Sequence, residues 1–272
     1  MKGIAKRIGV ATSVLLGIGT FAASSAMAQT TADEITFGDT NFRTYSDTIT
    51  DGDASKAVEA LSDSSTYTNV ELGIAEGTTS TFTAKFGSDE VVVSGVTEAD
   101  WLSGSLGTQW VADFEKAYPT LAGMGNTFAS LFMTRSGDPN VSSLTQASDG
   151  TFNLTTVGHY NLLNAPWIAS NPYLARAAAL AGNLLGPSNP LQVSEITKVV
   201  LNGETSFLYS FSAEATGVLA ADASNGDLSS HSGLYRSSFG DPKETEDVPE
   251  PSILLGLVAA GGVLTASKRK LG

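Results

Sequence analysis

The sequence predicts an α+β, β-rich body: a single domain with an antiparallel sheet or sandwich and helical insertions. Three observations predict it. Short runs rich in Val, Thr and Phe alternate with turns made of Gly, Asp and Asn. Pairs of these runs face each other across tight-turn sequences. One other stretch carries the 3.6-residue apolar period of a helix instead of the two-residue period of a strand, and another has helix start and stop residues at its ends. Between the two chain ends lie about 220 residues, enough to bury one sizeable core without disulfides.

The elements follow in order. From Ile35 to Val96 the chain reads as short strands divided by Gly, Asp and Ser. Thr81–Phe86 and Glu90–Val96 flank Gly87-Ser88-Asp89, which predicts a hairpin with a three-residue loop. Thr97-Glu98-Ala99-Asp100 has the form of a capping box with Asp in place of Glu or Gln, and opens a short helical turn near Trp101. Over Thr108–Tyr118, Trp110, Val111, Phe114 and Tyr118 share one face and Asp113, Glu115 and Lys116 lie elsewhere, an amphipathic helix that Pro119 stops. Thr151–Val157 adds a strand after the Asp149-Gly150 turn. Asn171 as N-cap, Pro172 at the first position and Gly186-Pro187 at the end bracket a helix through Leu185, supported by Ala177-Ala178-Ala179. Ile196–Leu201 then meets Thr205–Phe211 across Asn202-Gly203-Glu204, Asn-Gly being the favoured type I′ pair. Phe207, Tyr209 and Phe211 alternate, so one face of this strand is expected to point at the core.

Both ends read as addresses. Lys2, Lys6 and Arg7 precede the apolar stretch Ile8–Ala23, and Ala26-Met27-Ala28 offers the small-x-small pattern of signal peptidase at Ala26 and Ala28. Residues 1–28 are therefore expected to be a secretory signal, residues 29–240 an extracytoplasmic domain, and Asp241–Asp247 an acidic linker. The chain closes with Val248-Pro249-Glu250-Pro251-Ser252, an uncharged stretch Ile253–Ser267, and Lys268-Arg269-Lys270. As a helix, Ile253–Ser267 would run about 22 Å at 1.5 Å per residue. That is shorter than the roughly 30 Å hydrocarbon core of a bilayer, so it suits a temporary anchor. The basic triplet would stay cytoplasmic, and the two prolines would stop the helix at the outer face.

This tail resembles the PEP-CTERM sorting domain of Gram-negative bacteria, in residues 248–272. Its small-residue-rich helix and Ser-Lys-Arg-Lys ending are most similar to cyanobacterial examples, and the body resembles a group of uncharacterised cyanobacterial surface proteins with this tail. The resemblance implies that exosortase, a cysteine-dependent membrane protease, cuts near the motif and passes the protein to the cell surface or the extracellular matrix. Signal peptidase and exosortase are then the processing partners, and membrane insertion through the C-terminal helix is transient. The resemblance says nothing about the chemistry of the body.

Composition narrows that chemistry. The chain has 15 basic and 28 acidic residues. The leader holds three of the basic ones, and the tail from Glu250 onward holds three basic and one acidic. The body keeps 9 basic against 27 acidic side chains, a net charge of −18, which repels nucleic acid and anionic lipid and attracts divalent metals and cationic polymers. The absence of cysteine removes thiol catalysis, iron–sulfur clusters and Cys-based zinc sites. His159 and His231 stand in no nucleophile or zinc pattern, and are expected at the surface or in turns. A glycosidase would need two facing carboxylates, which sequence alone does not pair.

No cofactor is expected, with calcium as the one alternative the residues offer. Asp51-Gly52-Asp53, Asp89-Glu90, Asp138-Pro139-Asn140 and Asn225-Gly226-Asp227 cluster hard oxygen ligands on turns, with Asp51, Asp53, Asn225 and Asp227 the foremost candidates. None fits an EF-hand, and turn formation accounts for each equally well. Trp101, Trp167, Tyr160 and Tyr173 could form a sugar-stacking platform, with core packing as the plainer use; Trp110 is expected in the core. The leading expectation is a non-enzymatic surface or matrix protein. A carbohydrate- or Ca²⁺-binding module, with extracellular polysaccharide as partner, is the alternative, and a secreted hydrolase comes third.

Overall fold

The computed structural model describes residues 29–63, 68–74, 78–133, 137–216 and 231–242. The expected leader, the Asn225 to Asp227 cluster and the expected sorting tail lie outside the described residues. In chain order the strands are β1 (Gln29–Thr31), β2 (Glu34–Phe37), β3 (Arg43–Tyr45), β4 (Thr50–Asp51), β5 (Asn69–Glu71), β6 (Thr81–Phe86), β7 (Asp89–Gly95), β8 (Asn140–Ala147), β9 (Phe152–Gly158), β10 (Thr197–Leu201), β11 (Glu204–Leu208), β12 (Glu214–Ala215) and β13 (Gly233–Phe239). The helices are α1 (Ala54–Ser62), α2 (Glu98–Ser103), α3 (Leu106–Ala117), α4 (Gly125–Met133), α5 (Pro166–Ser170) and α6 (Pro172–Leu185). The fold is α+β and β-rich, with two open antiparallel sheets.

The small sheet runs β11-β10-β7-β6-β2 and rests on two hairpins. Both turns are tighter than the sequence predicts. Phe86 pairs with Asp89 across Gly87-Ser88, and Leu201 pairs with Glu204 across Asn202-Gly203, so each loop has two residues. Asn202 (φ 50°) and Gly203 (φ 90°) both take the left-handed region that a type I′ turn demands, as Asn and Gly do at least cost. The large sheet runs β12-β13-β9-β8-β5-β3-β4, with β1 pairing on the remaining length of β8. A register shift between Val141 and Ser143 makes Ser142 the extra residue of a bulge.

Two cores hold the molecule together. In the first, apolar side chains of both sheets meet: Phe82, Ala84, Val91, Val93 and Val199 from the small sheet, Val70, Val141, Leu144, Phe152 and Leu154 from the large one. Phe86 and Phe152 bridge the sheets edge to face, with ring centroids 5.2 Å apart. Ala57, Ala60 and Leu61 of α1 join this core. The second core gathers α2 to α6 with Leu191, Val193, Ile196 and Tyr209. Trp110 is fully buried there, its ring within 5.2–5.9 Å of those of Trp101, Phe114, Phe132 and Phe211. Each such side chain contributes about 1.5–3 kcal/mol by leaving water.

Phe207, Tyr209 and Phe211 lie on one side as expected, but they pack into the second core, whereas Leu208 between them enters the first. The segment thus stitches the two cores together. Asp113 departs from the amphipathic expectation. It is buried, where it accepts hydrogen bonds from Tyr209 Oη (2.8 Å) and Gln109 Nε2 (3.0 Å). Tyr118, at the end of α3, donates to the Gln192 carbonyl (2.8 Å) and accepts from the Gln192 N–H (2.7 Å), and burial pushes its phenol up to about 12. The capping box forms as predicted: Thr97 Oγ1 accepts from the Asp100 N–H and the Asp100 carboxylate accepts from the Thr97 N–H. Lys198 on β10 binds the same carboxylate at 2.8 Å, fixing α2 to the small sheet. Among the described residues no helix is long and apolar enough to cross a membrane.

Candidate functional site

Three neighbouring strands of the large sheet, β8, β9 and β13, show how a strand's two-residue period builds a site. Leu144, Phe152, Leu154 and Phe239 point into the first core. Their neighbours point the other way and align across strands: Ser143, Thr155 and Arg236 form one row, and Thr145, Asn153 and Ser238 the next. Thr31 of β1 extends the second row beside Thr145. These rows floor a groove of about 620 Å³, within the roughly 300–1,000 Å³ range of small-molecule sites. The end of α1 supplies part of its lining with Leu61, Ser62 and Asp63, and Leu234 adds a second apolar side chain.

The floor is polar but nearly neutral. Arg236 forms an ion pair with Glu214. Ser238 donates to Asn153 Oδ1 (2.8 Å), and Thr145 donates to Gln29 Oε1 (3.4 Å). Hydroxyls and amides thus stand on a lattice set by the strand spacing of about 4.8 Å and the two-residue repeat of about 6.8 Å.

A polar knot lies beside this groove, one cross-strand row beyond it, where Asn140 pairs with Val157 and Val157 with Leu234. Asn140 Nδ2 donates to Asn69 Oδ1 (2.8 Å) and lies 3.2 Å from His231 Nε2, while the imidazole packs tilted against the Tyr45 ring, centroids 4.8 Å apart. Tyr45 Oη donates to Glu71 Oε2 at 2.7 Å. Glu195, just before β10, completes the knot. The residue is only partly covered, but its Oε2 is fully buried and has no hydrogen-bond partner among the described residues. Burial pushes its carboxyl well above the ordinary 4.5, and the charges of Asp138 and Glu71 push it further, opposed only by the Asn140 backbone N–H. Glu195 therefore holds a proton where exposed carboxylates have lost theirs.

His231 sits in a turn before β13, one of the two placements expected, but it is buried among polar and aromatic partners and not at the surface. His159 is half-buried, its carbonyl accepting from Tyr235 Oη at 2.6 Å. Asp51 is held by Arg43 in a bidentate pair (2.7 and 3.0 Å), which lowers its pKa. Asp53 is the N-cap of α1, accepting from the Ser55 and Lys56 N–H groups. Both acids are engaged within the fold. Among the described residues no three His, Asp or Glu side chains are arranged to hold a metal ion. The suggested aromatic platform is dispersed: Trp101 is buried against Trp110, Trp167 packs on the second core, and Tyr173 is 85 % exposed on α6.

Sequence reasoning missed the groove, because Ser and Thr on a strand read as an ordinary solvated face. Only the cross-strand register shows that residues from β1, β8, β9 and β13 share it. Comparison with known proteins finds no matching family model, no significantly similar curated protein and no significantly similar solved structure.

Proposed function

We propose that this is an exported cell-surface or extracellular-matrix protein, released from a transient inner-membrane anchor by an exosortase-type protease, whose folded body serves a structural or interaction role without catalysis. The observation that carries this is the order of parts at Val248–Gly272: the Pro249-Glu250-Pro251 motif, the uncharged stretch and the basic triplet Lys268-Arg269-Lys270, in a chain whose first 28 residues have the basic, apolar and small-x-small order of a secretory leader. An exported domain already brought across the membrane by its leader needs such a tail only for retention or sorting. The body's net charge of −18 suits life in a hydrated matrix, since it keeps the domain soluble and away from anionic lipid.

Fractionation tests this. A variant carrying Pro249→Ala, Glu250→Ala and Pro251→Ala should accumulate in the inner membrane while the unaltered protein reaches the surface or the medium. Identical distribution of the two would remove the sorting role from the motif.

A further inference from the structure

We propose that the groove on the large sheet binds an uncharged, hydroxyl-rich polysaccharide chain. This deepens the surface-interaction role proposed above and rests on it for the ligand's source. The argument begins with what the floor offers. Ser143, Thr155, Thr145 and Asn153 present hydroxyl and amide groups in two parallel rows on paired strands. Such groups both donate and accept, so they match hydroxyls, which do the same, better than they match a purely accepting anion or a purely donating cation. Because the floor is part of a continuous sheet, its side chains are held in place before any ligand arrives, which lowers the entropic cost of binding.

Charge then selects among hydroxylated ligands. The one cation of the floor, Arg236, is occupied by Glu214, and Asp63 places a carboxyl on the lining. A body of net charge −18 repels polyanions. Uronic-acid and sulfated polymers are thereby disfavoured, and neutral chains remain. Leu61 and Leu234, both nearly buried, form the apolar part of the lining. A peptide fits less well. β9, at the centre of the floor, is paired along its length on both sides, so a peptide cannot add to it as a further strand. The floor also lacks the aromatic anchors that dominate protein interfaces.

The test is affinity electrophoresis of the purified protein through native gels cast with a neutral glucan (dextran or laminarin) or with alginate. Retardation is expected in a neutral glucan and not in alginate. The double variant Ser143→Ala, Thr155→Val removes two hydroxyls from half-buried positions with little change of shape, and should weaken retardation about ten-fold with an unchanged melting temperature. Tyr173→Ala, on exposed α6, should behave as the unaltered protein. Free migration in both neutral glucans, equal retardation of the double variant, or retardation in alginate alone would overturn the proposal. The sorting role is read from where the protein lies in the cell and glycan binding from what the purified protein retains, so either can fail while the other stands.

Discussion

Glu195 is the residue whose chemistry departs furthest from what its letter suggests. Its folded pKa is raised, mainly by burial, so between the ordinary 4.5 and the raised value the folded protein keeps a proton that the unfolded chain has released. Stability must therefore fall as pH rises through that window, and the contribution is complete only below 4.5. Glu195→Gln removes the titration while keeping the shape. Urea melts of the two proteins should coincide near pH 4.5, and the variant should become the more stable one as pH is raised to about 8. A parallel pH dependence would show that Glu195 is ionised in the fold. Tyr209 makes the complementary case: Tyr209→Phe takes one of two side-chain donors from buried Asp113 and should cost about 1–3 kcal/mol in the same measurement. Nothing in the local sequence marks either residue. Glu195 and Asp113 look like surface acids until segments distant in the chain close over them.

At the scale of elements, local chemistry was legible where one short stretch decides the structure. Asn202-Gly203 specified its turn, Thr97 and Asp100 their capping box, and Asn171, Pro172 and Gly186 the ends of α6. α1 breaks the run of strands expected over Ile35–Val96: Asp and Gly serve turns and caps alike, so Asp51–Asp53 reads as a turn unless Ala57, Ala60 and Leu61 are weighed with it. β8 was hidden for a physical reason: its bulge at Ser142 inserts a residue and breaks the alternation by which a strand is recognised. Asp100 ties two elements by capping α2 and binding Lys198. Burial of its carboxyl opposes ionisation, but the bonds from Lys198 and Thr97 outweigh it and lower the pKa, so this stabilisation is lost as pH falls, the reverse of Glu195. Asp100→Ala should cost about 1 kcal/mol, nearly all of it from the lost cap, since a solvent-touching ion pair adds little. Gly95 closes β7 against the turn at Gly137. A Cβ there would lie 1.8 Å from the Gly137 carbonyl oxygen, so the two backbones can meet only over glycine. Gly95→Ala should lower stability by at least about 2–3 kcal/mol in denaturant titration; a neutral effect would mean that the backbones stand apart.

For the whole molecule, the division into a sheet core and a helical core follows from the two periods visible in the sequence, but which strands are neighbours does not. β13 lies beside β9 and β1 beside β8 through contacts that join distant parts of the chain, and the groove exists only because of them. The account joins an acidic body that displays a polar sheet face to a tail that would place this face in the extracellular layer. Intact mass of the protein recovered from the cell surface or the medium tests that most directly. The predicted mass corresponds to a chain beginning after Ala28 and ending near Val248–Ser252. A surface or extracellular protein that retains Lys268-Arg269-Lys270 would contradict sorting by cleavage.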